Sequence, residues 1–263
     1  MESRLVSIII PAFNMAPTIQ ETVESILNQT YSNFELLIID DGSTDDTKHI
    51  IDKYLLYGKK YDSRISYFFQ INNGRVAAIN TGIKNSRGSY ITYVDADDTL
   101  PSDSIYCRVC VLNKFPEVMT VYADSNCIDE NSQVFKIRKS KQVFSQEQLI
   151  NFNRNPIVSS SVMFRKEVME KIVEFDSSFK RLTDVCMNVE LFRAGKMYYF
   201  SGIVYNFRTY KRKGIYKLRL KTLYYFIKVI DKYYTGSRKY YYMFIQTIIQ
   251  TIKLIFELFS VHK

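Results

Sequence analysis

The chain has 263 residues, 46% of them apolar and 24% charged, which is the range of a soluble globular protein with a full core. The net charge of +9 comes from 36 basic and 27 acidic residues, and 13 of the basic residues but only 2 of the acidic ones lie after position 204. The first 204 residues therefore carry 23 basic against 25 acidic side chains. This excludes a basic surface spread around an acidic site, the pattern of a nucleic-acid enzyme. Four cysteines in a chain of this length make no disulfide framework. Cys107 and Cys110 have metal-ligand spacing but no second pair, which argues for reduced thiols in a cytoplasmic protein.

Taken in order, Val6–Ile10 is a β-branched run that Pro11 is expected to end. Pro17 suits the first turn of a helix, and Ile19, Val23, Ile26 and Leu27 follow at helical spacing. Phe34–Ile39 reads as a second buried strand, closed by Asp40-Asp41-Gly42-Ser43-Thr44-Asp45. A helix follows to about Tyr57, then a strand at Ile65–Phe69, a turn at Asn72-Asn73-Gly74 and a helix from Val76 to Lys84. Tyr90–Val94 is the central strand, and three carboxylates, Asp95, Asp97 and Asp98, follow it at once. Strands alternating with helices predict a parallel sheet covered on both faces. Right-handed crossovers then bring Pro11, Asp40 and Asp95 to one sheet edge, where ligands of open α/β sheets bind.

Each residue type suits a task there. Acids crowded on one turn favour a divalent cation, so Asp97 and Asp95 are candidate ligands for Mg²⁺ or Mn²⁺ shared with substrate phosphates. The only histidines, His49 and His262, read as solvated side chains. Asp40 can accept from a nucleobase N–H such as uracil N3, Phe13 can stack, and Asp95 can accept from ribose hydroxyls. Capping and turn chemistry is the alternative use of Asp40 and Asp41.

Val6–Asn14, Ile38–Asp45 and Tyr93–Asp98, with Asn80-Thr81-Gly82-Ile83 and Arg87-Gly88-Ser89-Tyr90 between them, resemble the signatures of glycosyltransferase family 2. The resemblance is dense over residues 5–101. It implies a GT-A fold, a Rossmann-like, mostly parallel central sheet flanked by helices. It also implies a nucleotide-diphospho-sugar donor, a divalent metal, inversion at the anomeric carbon, and a nucleotide site including Pro11, Phe13, Asn14, Asp40 and Asp95. The acid that starts a later helix is the family's general base, and Asp184 is the matching position, with Asp176 as its rival. Thr183 stands where the family usually has Glu. Ile79 stands where it commonly has Arg, and Arg75 is the candidate to supply that charge. With no Trp, the chain lacks the signature of processive members, which implies transfer of one sugar.

Further strands are expected at Val118–Tyr122, Gln133–Ile137 and Ser159–Arg165, and helices after Ser145, at Glu167–Ile172 and after Asp184. The chain divides into a catalytic domain at 1–204, with a nucleotide-sugar half to residue 101 and an acceptor half beyond it, and a C-terminal helical extension at 205–263. In that extension Lys217, Lys221, Lys228 and Lys232 form one helical stripe, and Met243–Phe259 is a largely apolar helix too polar to span a membrane. This predicts peripheral contact with the inner face of the cell membrane, the alternative being packing on the catalytic domain or a dimer partner. The expected activity is transfer of one sugar, from UDP by preference, to a glycan or lipid-linked acceptor of the cell surface. Two alternatives stand beside it: a phosphatase of the haloacid-dehalogenase type, whose motif Asp95–Leu100 also fits, and a relative that binds nucleotide sugars without catalysis.

Overall fold

The computed structural model describes residues 3–55, 62–150, 156–157, 160–210, 215–234 and 236. Strands β1 (Val6–Ala12), β2 (Phe34–Asp40), β3 (Ile65–Phe69) and β4 (Tyr90–Tyr93) alternate with helices α1 (Ile19–Leu27), α2 (Thr47–Leu55) and α3 (Arg75–Asn85). The four strands are parallel and lie in the order β3-β2-β1-β4. β1 and β2 are buried along their whole length, which is why each reads as an uninterrupted apolar run. Their residues alternate between two cores. Ile9, Leu37 and Ile39 join one cluster with Val76, Ala78 and Ile79 of α3. Ile8, Ile10, Leu36 and Ile38 join the other with Ile19, Val23 and Ile26 of α1. Pro11 does not end β1: it pairs with Ile39, and the strand continues to Ala12 opposite Asp40.

Gly82 brings α3 onto the sheet. A Cβ there would lie 2.4 Å from Cγ2 of Ile9, closer than any side chain tolerates. This close contact fixes the height of α3 above β1.

The second half is an antiparallel elaboration of the same sheet. β5 (Thr120–Ile128), β6 (Val134–Arg138) and β7 (Met163–Arg165) extend the order to β4-β7-β5-β6, and β8 (Met197–Arg208) runs parallel to β5. Helices α4 (Ser104–Lys114), α5 (Gln146–Ile150), α6 (Met169–Ile172) and α7 (Thr183–Ala194) complete this half. Sequence periodicity does not reveal α4, because Arg108 occupies its buried face. The Arg108 guanidinium donates to Ser104 O, to the hydroxyls of Ser104 and Thr92, and to Val162 O, and burial pushes its pKa down to about 9. Cys107 and Cys110 lie on α4 and form no disulfide with a described residue.

The boundary expected at 204/205 falls inside β8, whose last residues pair with β5 and so belong to the sheet. α8 (Ile215–Tyr233) follows. Its Phe226, Val229, Ile230 and Tyr233 are buried in the core cluster that includes Phe179 and Cys186, so the described apolar face of the extension packs on the catalytic half. The expected helix at Met243–Phe259 lies outside the described residues. Among the described residues no helix is long and apolar enough to cross a membrane.

Candidate active site

The carboxyl ends of β1, β2 and β4 open on a cavity of about 590 Å³, within the usual size of a small-molecule site. Pro11, Phe13, Arg75, Asp95, Asp97 and Asp184 all line it, together with Asp41, Asn72, Thr183 and Phe207. Residues far apart in the chain thus share one wall. Arg75 stands at the first position of α3 and reaches both acids that flank it. Its Nε and Nη2 donate to the two oxygens of Asp95 at 2.5 and 3.0 Å. Its Nη1 donates to Asp184 Oδ1 at 3.0 Å. Burial opposes the charge on Arg75, but Asp95 and Asp184 outweigh it and hold the pKa well above the ordinary value.

Two residues beside this cluster have left-handed backbone. Leu182, which precedes α7, is left-handed with φ 57°, and Ser160 is left-handed with φ 63°. Such conformations cost of order 1–3 kcal/mol and are kept where surroundings over-determine them. Ser160 Oγ donates to Asp95 Oδ2 at 3.1 Å and accepts from Arg75 Nη2 at 3.2 Å. Nothing in the local sequence marks this serine. Its place follows from the turn before β7.

The acidic turn after β4 is fixed from beneath. The backbone N–H of Asp95 donates to the Tyr205 hydroxyl, which donates in turn to Asp98 Oδ2 at 2.7 Å. Asp98 Oδ1 accepts from the backbone N–H of Arg208. Burial, with Asp95 and Asp97 beside it, pushes the Asp98 carboxyl up to about 8. Asp98 therefore shapes the turn and does not line the cavity. The buried Arg208 guanidinium donates to the carbonyl of Asp97 at 2.7 Å, to that of Asp129 in the β5–β6 turn, and to Glu21 of α1. Burial, then the charge of Asp95, raises the Asp97 carboxyl, and a backbone hydrogen bond, the Arg208 charge and the Tyr210 hydroxyl offset this only in part. Asp97 makes no ion pair with a described residue, so a cation beside it would relieve both burial and repulsion. No three metal-ligating side chains cluster among the described residues. Of the four carboxylates that line the cavity, Asp95 and Asp97 of this turn are oxygen donors of the kind a hard divalent cation takes, with substrate oxygens and water as its remaining ligands.

Two expected site residues lie off the cavity. Both oxygens of Asp40 are engaged, Oδ1 by the backbone N–H of Ser43 and Oδ2 by the Tyr67 hydroxyl. Asn14 Oδ1 accepts from the backbone N–H of Thr44, tying the end of β1 to the turn after β2. Asp41 is the acid of that pair that lines the cavity. It accepts from Gln70 Nε2 and from the backbone N–H groups of Asn73 and Gly74.

Asp176 is also elsewhere. It pairs with Lys232 of α8 at 2.9 Å. Burial raises its carboxyl, but hydrogen bonds from Ser178 and Lys232 prevail and bring it down to about 2. Asp176→Asn is expected to leave activity unchanged and to cost no more than about 1 kcal/mol, because the pair is partly solvated. The folded carboxyl titrates below its unfolded value of 3.8, so the contribution is complete above that value and vanishes as pH falls through 2. Urea melts of both proteins at neutral and acid pH check this.

Residues 7–173 match Glycosyl transferase family 2. An uncharacterised glycosyltransferase of Rickettsia prowazekii (strain Madrid E) is 34% identical over 203 residues, 75% of this chain and 61% of its own length. The chondroitin synthase of Escherichia coli is 32% identical over 202 residues, 77% of this chain but 28% of its own length. The chain thus matches less than two thirds of either relative. Among solved structures, S. aureus TarS 1-349 in complex with UDP-GlcNAc superimposes with a TM-score of 0.65 at 16% identity, over 89% of this chain and 69% of that one. The mannosyltransferase PcManGT of Pyrobaculum calidifontis, in complex with GDP-Man and Mn²⁺, gives 0.65 at 18% identity, over 92% and 68%. The family match includes the turn Asp95–Asp98 and decides against the phosphatase pattern that the same turn also fits. With its sheet order and the placement of its acids at the strand ends, the chain belongs to glycosyltransferase family 2 and has the GT-A fold.

Proposed function

We propose that the protein is an inverting glycosyltransferase that moves one sugar from a nucleotide-diphosphate donor, UDP-linked by preference, to a hydroxyl of a cell-surface glycan or glycolipid acceptor. The observation that carries this reading is the convergence of Asp95, Asp97 and Asp184 on one cavity, with the Arg75 guanidinium joining Asp95 to Asp184. Asp184 is the general base. It lies in the first turn of α7, joined to Asp95 of the β4 turn through Arg75, where it can take the proton of an acceptor hydroxyl as that oxygen attacks the anomeric carbon in line. Arg75 lines the cavity and meets the donor diphosphate, whose oxygens suit the guanidinium fork. Asp97 and Asp95 would hold Mn²⁺ or Mg²⁺. When bound, that cation supplies positive charge to the departing diphosphate. The UDP-GlcNAc and GDP-Man complexes of the structural neighbours support a nucleotide-sugar donor, and Mn²⁺ in one of them supports the cation. The basic C-terminal segment supports peripheral contact with an anionic membrane surface.

The nucleobase is assigned to the end of the cavity lined by Phe13, Asp41 and Asn72. A carboxylate has about four acceptor positions, and Asp41 uses three, which leaves one for uracil N3–H. Asp41→Asn is expected to weaken UDP binding by roughly 1–3 kcal/mol, the usual value for a charged hydrogen bond. Asp40→Asn is expected to lower the melting temperature through Ser43 and Tyr67 while UDP affinity holds. Calorimetry with UDP on both variants separates these. If the wild type binds neither UDP nor another nucleoside diphosphate, with or without Mn²⁺, the donor reading falls.

A further inference from the structure

We infer that β6 is the docking track for a polyanionic acceptor, a glycan chain bearing phosphate or carboxylate groups, that leads to the mouth of the cavity. This rests on the glycosyltransferase reading above and adds the class of its acceptor. All five residues of β6 are exposed. Between Asn131 and Gln146 the chain carries Lys136, Arg138, Lys139 and Lys141 and no acid. None of these four makes an ion pair with a described residue, although the first 204 residues as a whole are slightly acidic. An unpaired basic row on a near-neutral domain is complementary to an anion.

Register places two of these four residues, Lys136 and Arg138, at the site; Lys139 and Lys141 follow just beyond the end of β6. Lys136 pairs with Cys127 of β5, and Cys127 pairs with Phe207 of β8, so the three side chains share one sheet face. Arg138, two residues on, shares that face, and its guanidinium lies over the Phe207 ring, 5.6 Å from the centroid. Phe207 lines the cavity. The basic face of β6 is therefore continuous with the wall of the cavity. The reverse face carries Phe135 and Ile137, both exposed, so a lipid surface is the competing occupant. The continuity with Phe207 favours the acceptor, since a track beside the reacting centre serves a chain that must enter it.

The test uses the full chain and fluorescent inorganic polyphosphate as the polyanion, read by anisotropy with saturating UDP present. Neutral dextran and vesicles of phosphatidylglycerol and phosphatidylcholine are the other probes. The wild type should bind polyphosphate and not dextran, and the triple variant Lys136→Gln, Arg138→Gln, Lys139→Gln should bind it at least about tenfold more weakly at ~150 mM salt. A matched loss of charge in the C-terminal segment, Lys217→Gln, Lys221→Gln, Lys253→Gln, should leave polyphosphate affinity within about twofold. Calorimetry should give both triple variants the UDP affinity of the wild type. The proposal is overturned if polyphosphate does not bind, if UDP displaces it, or if the two triple variants lose affinity equally. It is also overturned if the β6 variant loses vesicle binding while polyphosphate binding persists. Loss of UDP binding by the wild type would instead strike the donor reading, so the two failures are distinguishable.

Discussion

Asp184→Asn should lower turnover by roughly 10²–10⁴-fold, the usual contribution of positioned proton transfer, with donor affinity nearly unchanged. The substitution keeps the size of the side chain and its ability to accept from Arg75 Nη1, now 3.0 Å away. It removes only the basicity. Because α7 starts at a left-handed Leu182 and packs on the core through Val185, Met187 and Val189, the backbone that aims residue 184 does not depend on its charge. Steady-state rates with a donor chosen by thermal shift, set beside calorimetric UDP affinities, give both quantities. Wild-type turnover in the variant would move the base to another cavity acid, with Asp41 and Asp95 the ones that remain beside Asp97, the proposed metal ligand. A parallel loss of UDP affinity would mean that Asp184 serves the donor and not the acceptor.

Asp97→Asn should reduce transfer by roughly 10²–10³-fold or more, the scale of a lost electrostatic contact in the transition state. It should also remove the stimulation of UDP binding by Mn²⁺. Stability should move the other way. Burial and the charge of Asp95 both raise the Asp97 carboxyl, so its ionised form is disfavoured in the folded protein. Its folded pKa lies above the unfolded one, and removing the charge at neutral pH relieves a cost. The melting temperature should therefore hold or rise while activity collapses. Arg208 holds this turn through the carbonyl of Asp97, which the substitution leaves in place. A variant that stays active in EDTA would end the assignment of Asp97 to the metal. A variant that unfolds would mean that its carboxylate, and not the backbone, holds the turn.

The parallel half of the sheet was legible because its code is local. β1 and β2 are buried on both faces, so their apolar runs need no partner to be recognised. The turns that end β2 and β4 announce themselves by their acids. The choice between Asp40 and Asp41 was not legible. Neighbouring residues at a strand end point to opposite sides, and which one meets the cavity depends on where β2 stops pairing. It stops at Asp40, opposite Ala12 and Phe69, so Asp40 is held in the sheet and Asp41 is released. β8 was missed because half-buried aromatic and polar residues interrupt its pattern, and its role comes from pairing with β5, far away in sequence. Ser160, Arg208 and Tyr210 reach the site only through such long-range register. The segment holding α8 shows the same limit. Its basic and apolar stripes are real in sequence, yet helical periodicity does not say whether lipid or the protein's own core receives the apolar one.

The contact between Gly82 and Ile9 makes the electrostatics of the site answer to a position that touches none of it. Arg75 and Gly82 lie on one rigid rod, seven residues and about 10 Å apart. The missing side chain lets the middle of that rod rest against β1. Any methyl placed there would act as a wedge and tilt the far end, carrying the guanidinium away from two carboxylates held by other elements. The reach of a charge is thus set by the thickness of a hydrocarbon layer. A change in nucleotide affinity should be sought as much in the packing beneath α3 as in the residues that line the cavity.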